Sequence, residues 1–187
     1  YSRLIRQYPK SEYVADSFLA LGEHYFTANI LTRATKAYKK AYKEGKRQKK
    51  PGTYRYAQYK LAWCDYNAQD YESALKKFKD GISESEKASK TKGKDGKDAV
   101  QLKREALNDM VLTFSQLNQV EDAHRYFKKK SSGEEAYRLT NKLAGIYKGQ
   151  GKFQQQVATL RYLINLDPDN VAAPDYQSQI VNAYSKL

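Results

Sequence analysis

One cadence recurs four times along the chain: an apolar residue beside a small one, an aromatic a turn later, then a small residue and a second aromatic in the next segment. It runs Leu21-Gly22, Tyr25, Ala34, Tyr38, and returns as Leu61-Ala62, Tyr66, Ala74, Phe78. The third pass is Met110-Val111, Phe114, Ala123, Phe127; the fourth is Leu143-Ala144, Tyr147, Gly151, with Leu160 in the last aromatic slot. A repeat of about 34 residues holding two short amphipathic helices is the mark of a helical solenoid. One such hairpin cannot bury its apolar face alone, so neighbours must stack. Small residues let the two helices of a hairpin approach, and large ones fill the gap to the next hairpin.

The periodicity predicts helices near residues 12–27, 30–44, 53–68, 71–88, 98–117, 120–130, 133–149, 152–166 and 171–186. Short turns at Thr27-Ala28-Asn29, Ala68-Gln69-Asp70, Leu117-Asn118-Gln119 and Gln150-Gly151 make antiparallel neighbours. Ser131 to Glu134 has capping-box spacing, and Asp167-Pro168-Asp169-Asn170 closes one helix and opens another. Tyr1, Leu4, Ile5 and Tyr8 fall on one helical face ended by Pro9; Tyr176, Ile180, Val181 and Tyr184 do the same near the other end. Neither end carries a polar cap, which predicts a piece of a longer array. The repeats are unevenly spaced, with the excess between them, at 45–53 and 85–102. Both stretches are rich in Lys and Gly, and Thr91–Gly96 reads as a mobile loop.

With 187 residues, 40% of them apolar, the chain is long enough for one ordinary core. Mean hydropathy is −0.89 and no apolar run is long enough to span a membrane. The formal charge is +13. Lys43, Lys46, Arg47, Lys49 and Lys50 form one basic stretch, residues from Lys87 to Arg104, Lys92 among them, a second, and Lys128 to Lys130 a third. Such a surface favours acidic partners, anionic lipid headgroups or nucleic acid. Cys64 is the single cysteine and sits in an apolar helix, so it reads as a buried hydrophobe rather than a reactive thiol. His24 and His124 lie in different repeats on solvent-leaning positions, with no cysteine near either, which argues against a metal. No phosphate loop, nucleophile elbow or convergent set of carboxylates is present. These patterns point to no catalytic residue, no cofactor and no enzymatic activity. The seventeen tyrosines are mostly explained as repeat core, which disfavours nucleic acid.

The same residues carry a resemblance to the tetratricopeptide repeat. Phe18, Leu21-Gly22, Tyr25, Ala34, Tyr38 and Ala41 stand at that family's spacing. Repeat two keeps Leu61-Ala62, Tyr71, Ala74 and Phe78, moves its first aromatic by one position to Tyr66, and has Gly81 in place of Ala. Repeat three keeps Leu107, Phe114, Ala123 and Phe127. Repeat four keeps Leu143-Ala144, Tyr147, Gly151 and Pro168 but places Gln156 where Ala is expected. The resemblance implies an all-α, right-handed superhelical solenoid of antiparallel hairpins, as one domain over 1–187. Repeats fall at 15–48, 55–90, 104–132 and 137–170, with half-repeats at 1–10 and 171–187. It also implies that first helices line a concave groove. Tyr56, Tyr59, Trp63 and Tyr66 then form one inward stripe in repeat two, with Asn108, Asn141 and Lys148 as polar contacts from later repeats.

Arg6–Phe26, with its Tyr8-Pro9-Lys10-Ser11 link, is similar to repeats of bacterial cell-envelope proteins, and that similarity implies a periplasmic or envelope scaffold. The expectation is a non-catalytic scaffold that binds a protein or peptide in its groove. The alternatives are a helical arm of a larger cell-wall enzyme and a basic binder of nucleic acid or an anionic surface.

Overall fold

The computed structural model describes residues 1–90 and 93–187. Thr91 and Lys92, the start of the stretch expected to be mobile, lie outside the described residues. Ten helices and no strand are found among the described residues: α1 (Ser2–Gln7), α2 (Val14–Thr27), α3 (Leu31–Arg47), α4 (Pro51–Asn67), α5 (Tyr71–Ala88), α6 (Lys94–Leu117), α7 (Val120–Lys130), α8 (Gly133–Gly149), α9 (Phe153–Leu166) and α10 (Ala173–Tyr184). The chain divides into two compact units, Tyr1–Leu107 and Asn108–Leu187.

The turns share one backbone solution. Asn29, Gln69, Asn118 and Gly151 all have positive φ, and so does Lys49 between α3 and α4. In each case the next residue donates its N–H five residues back: Ile30 to Tyr25, Lys50 to Gly45, Asp70 to Asp65, Gln119 to Phe114 and Lys152 to Tyr147. This is the Schellman ending, which satisfies the last helical carbonyls and turns the chain in two or three residues. At Gly151 the left-handed backbone is free of Cβ strain; at Lys49 and Gln69 the hydrogen bonds outweigh it.

The stretches expected to be inserted loops are largely helical. α3 continues to Arg47 and α4 begins at Pro51, whose fixed φ and missing N–H suit a first helical position. α6 starts at Lys94, four residues before the expected start at 98, and Ala99 is fully buried. Gly96 and Asp95 are poor helix formers, so the burial of Ala99 and the pairing of Asp95 with Arg55, rather than propensity, favour the early start of α6.

In unit 1, α2 packs on α3 and also on α4, while α3 packs on α4 and α4 on α5. Ala34, Tyr38, Leu61 and Cys64 make one buried cluster, with Leu19, Tyr25 and Phe26 against it. Burial pushes the Cys64 thiol up, in keeping with its expected inert role. Gly22 explains how closely α2 and α3 approach: a Cβ there would lie 2.4 Å from Cε1 of Tyr38. In unit 2, α7 packs on α8, α8 on α9 and α9 on α10. Its core gathers Ala144, Val157, Leu160, Leu163, Tyr176 and Ile180. Phe114 and Phe127 meet edge to face at 5.6 Å.

Two local expectations need correction. The cap of α8 is Ser132, whose side chain accepts from the Glu135 N–H at 3.1 Å; Ser131 instead donates to the Phe127 carbonyl. His124 is buried rather than solvent-leaning, with 4% of its surface exposed. Thr140 and the rings of Tyr137 and Tyr162 enclose it.

Candidate functional site

The four aromatics of α4 form one connected row, and all are half-buried. Tyr56 and Tyr59 have ring centroids 5.8 Å apart; Tyr59 meets Phe78 of α5 at 5.9 Å. Trp63 also meets Phe78, at 6.0 Å, and meets Tyr66 at 5.3 Å; Tyr66 reaches Tyr71 of α5 at 5.4 Å. One edge of the row is therefore anchored on the second helix of its own hairpin. Phe78 itself is 1% exposed. Because each of the four is only half-buried, part of every ring remains accessible.

Charge is organised beside this row. Glu23 of α2 accepts the Tyr38 hydroxyl at 2.6 Å and pairs with Lys60 of α4 at 3.3 Å. The Lys60 ammonium lies 4.1 Å from the centre of the Phe26 ring. Burial, and then its hydrogen bond to Glu23, push the Tyr38 phenol far up, so it stays protonated and donates to that carboxylate. Asp16 ties the start of α4 to α2 through Lys50 at 2.5 Å and Thr53 at 2.7 Å. These ties fix where α4 sits against α2, and so where the aromatic row faces.

Tyr56 also borders a cavity of 250 Å³ between α4 and α6, with Arg55, Asp98 and Glu105 on its walls. Arg55 is 3% exposed and pairs with Asp95. A buried guanidinium needs such a partner. Burial, and then the charges on Glu23 and Glu105, raise the Tyr56 phenol.

Within unit 2 the three polar candidates lie on α6 and α8. Asn108 Oδ1 accepts from Arg138 at 3.1 Å and its carbonyl accepts from Lys142 at 3.1 Å. Asn141 is half-buried on α8. Lys148 is exposed and borders a cleft of 430 Å³ formed with α9 and α10. Sequence reasoning passed over Arg55 and treated Gln156 only as a departure from the repeat. In both, a polar side chain at a position of helical core period was the available signal.

No group of three or more His, Cys, Asp or Glu side chains comes together as a metal cage among the described residues. No helix among them is long and apolar enough to cross a membrane.

Comparison with solved structures decides the fold. A repeat protein of Podosopora anserina, a candidate kinesin light chain with nearly identical TPR-like repeats, superposes with a TM-score of 0.54 at 12% identity, covering 95% of this chain and 88% of that one. A point variant of that protein superposes with the same score and identity over 94% of this chain. The fold is TPR-like. No family model matches the sequence, and no curated protein does. At this identity the similarity carries the architecture, not a partner or a compartment.

Proposed function

We propose that this chain is a non-catalytic scaffold that holds a protein or peptide partner against the accessible part of the α4 aromatic row. The observation that carries this reading is the row itself. Large rings held by Phe78 and Tyr71, with part of each left accessible, are pre-ordered before a partner arrives. Aromatic anchors with little conformational freedom to lose dominate interface energetics. TPR-like folds serve generally as protein-interaction scaffolds, which supports the class. A place in a bacterial envelope rests on sequence resemblance, and fractionation of the native cell checks it.

A second reading has its own observation. Arg33, Lys36, Lys40, Lys43 and Arg47 are all exposed and run along one face of α3 at three- and four-residue spacing. That stripe suits an anionic surface.

Site-specific photocrosslinking separates the two. A benzophenone side chain is placed at Tyr56 or Trp63, and at Lys36 or Lys43 as the comparison. The α4 positions should yield a discrete protein adduct that persists at high salt. Adducts from the α3 positions alone, lost as salt rises, would replace the groove reading with the electrostatic one.

A further inference from the structure

We propose that the exposed face of α3 docks unit 1 onto an anionic lipid bilayer, with the helix lying flat along the headgroups. This deepens the electrostatic reading above and rests on it. It makes no demand on the α4 row.

Every exposed residue of α3 except Thr32 is a lysine or an arginine, seven in all from Arg33 to Arg47. They span about 21 Å of helix. The opposite face, with Ala34, Ala37, Tyr38, Ala41 and Gly45, is buried. The only carboxylate on this helix, Glu44, is half-buried and pairs with Arg47. Lys46 pairs with Glu84 of α5. Arg33 lies over the Tyr25 ring and Lys40 over the Phe18 ring. Lys36, Lys39 and Lys43 remain, with neither a carboxylate nor a ring as partner among the described residues. Other carboxylates of unit 1 are committed elsewhere: Asp16 to Lys50, Glu23 to Lys60 and Asp65 to Lys77.

The corresponding helices of the next two hairpins are not built this way. α5 exposes Glu72 and Asp80 beside Lys76 and Lys87, and α7 exposes Glu121 and Asp122 beside Lys128 and Lys129. Solubility needs only such mixed charge. In α3, Lys36 and Lys40 stand four residues apart, as do Lys39 and Lys43, a spacing at which like charges destabilise a helix. A polyanion outside the chain relieves that repulsion.

The make-up of the face chooses among polyanions. It has no exposed aromatic on which bases stack, the feature that single-strand binders depend on. Arginine is the side chain that forks onto nucleic-acid phosphates, and both arginines here are engaged by their own neighbours. The three cations left over are all lysine, a hydrated point charge on a flexible stem that needs no fixed spacing of anions. Headgroups diffusing in a leaflet come to such charges in any register. The apolar face of α3 is already buried in the protein, so the helix does not insert. Attachment is by charge alone, reversible and weakened by salt.

The test is co-sedimentation of the full chain with phosphatidylcholine vesicles, with and without phosphatidylserine. Binding should require phosphatidylserine and fall away as salt rises. The triple change Lys36→Gln, Lys39→Gln, Lys43→Gln should weaken it about 100-fold, at about fivefold for each charge, with the melting temperature kept. The triple change Lys76→Gln, Lys128→Gln, Lys129→Gln removes the same charge elsewhere and should weaken binding less than about twofold. Full affinity in the α3 variant, an equal loss in the second variant, or no binding to phosphatidylserine vesicles would each overturn the proposal. Tighter capture of duplex DNA at the same salt, with the same dependence on the three lysines, would overturn it in favour of nucleic acid. Salt-sensitive α3 photo-adducts without vesicle binding leave the electrostatic reading standing; absence of both removes that reading as well.

Discussion

His124 shows how a single buried side chain makes stability depend on pH. Thr140 gives its hydroxyl proton to the Ala136 carbonyl at 2.8 Å, so its oxygen accepts from His124 Nδ1–H at 3.0 Å. Burial first, and then the charge of Lys128, hold the His124 pKa below the usual histidine value. The unfolded chain therefore takes up a proton near pH 6.5, where the folded one does not. Stability is unaffected above that value, and it falls as pH drops from about 6.5 toward the lower folded value. Urea midpoints should decline between pH 7.5 and 5.5, and His124→Gln should flatten the decline. An unchanged slope in the variant would assign the pH dependence to other groups.

At the scale of the element, Gly22 and Tyr38 determine how closely two helices of a hairpin approach. Tyr38 is fully buried and its hydroxyl is held by Glu23, so the ring cannot swing aside. Gly22→Ala improves helix propensity by about 1 kcal/mol. It also drives a Cβ to 2.4 Å from the ring, and overpacking of this kind costs about 1–3 kcal/mol. The clash wins, so the melting temperature should fall by several degrees; a rise would mean that α2 and α3 can separate at no cost. The small-residue cadence announced this approach without the structure. It did not announce which face of α4 would be covered. Tyr56, Tyr59, Trp63 and Tyr66 share a stripe by periodicity alone, but their anchorage on Phe78 and Tyr71 depends on how α5 folds back. The α8 cap shows a similar limit: Ser131 and Ser132 are adjacent and chemically equal, and one step in the register of α8 selected Ser132.

At the scale of the molecule, each of the two units is built mainly from contacts between successive helices, so opening should be local and graded. α1 has no buried residue and packs on α2, whereas α3 and α8 bury five and six residues. Hydrogen exchange should therefore be fastest over Ser2–Gln7 and slowest in α3 and α8. Equal protection across α1 and α3 would indicate that the first helix gains packing from elsewhere.

The linear order of residues was enough for the helical hairpins, their short turns and the TPR-like class, because those follow from local periodicity and from side-chain size. Tertiary structure alone decided that His124 is enclosed, that Arg55 meets Asp95, and that Gln156 is buried. Those outcomes depend on which residues, distant in sequence, come within hydrogen-bonding range once one helix stacks on another. Such distances are a property of the packed hairpins and not of any one segment.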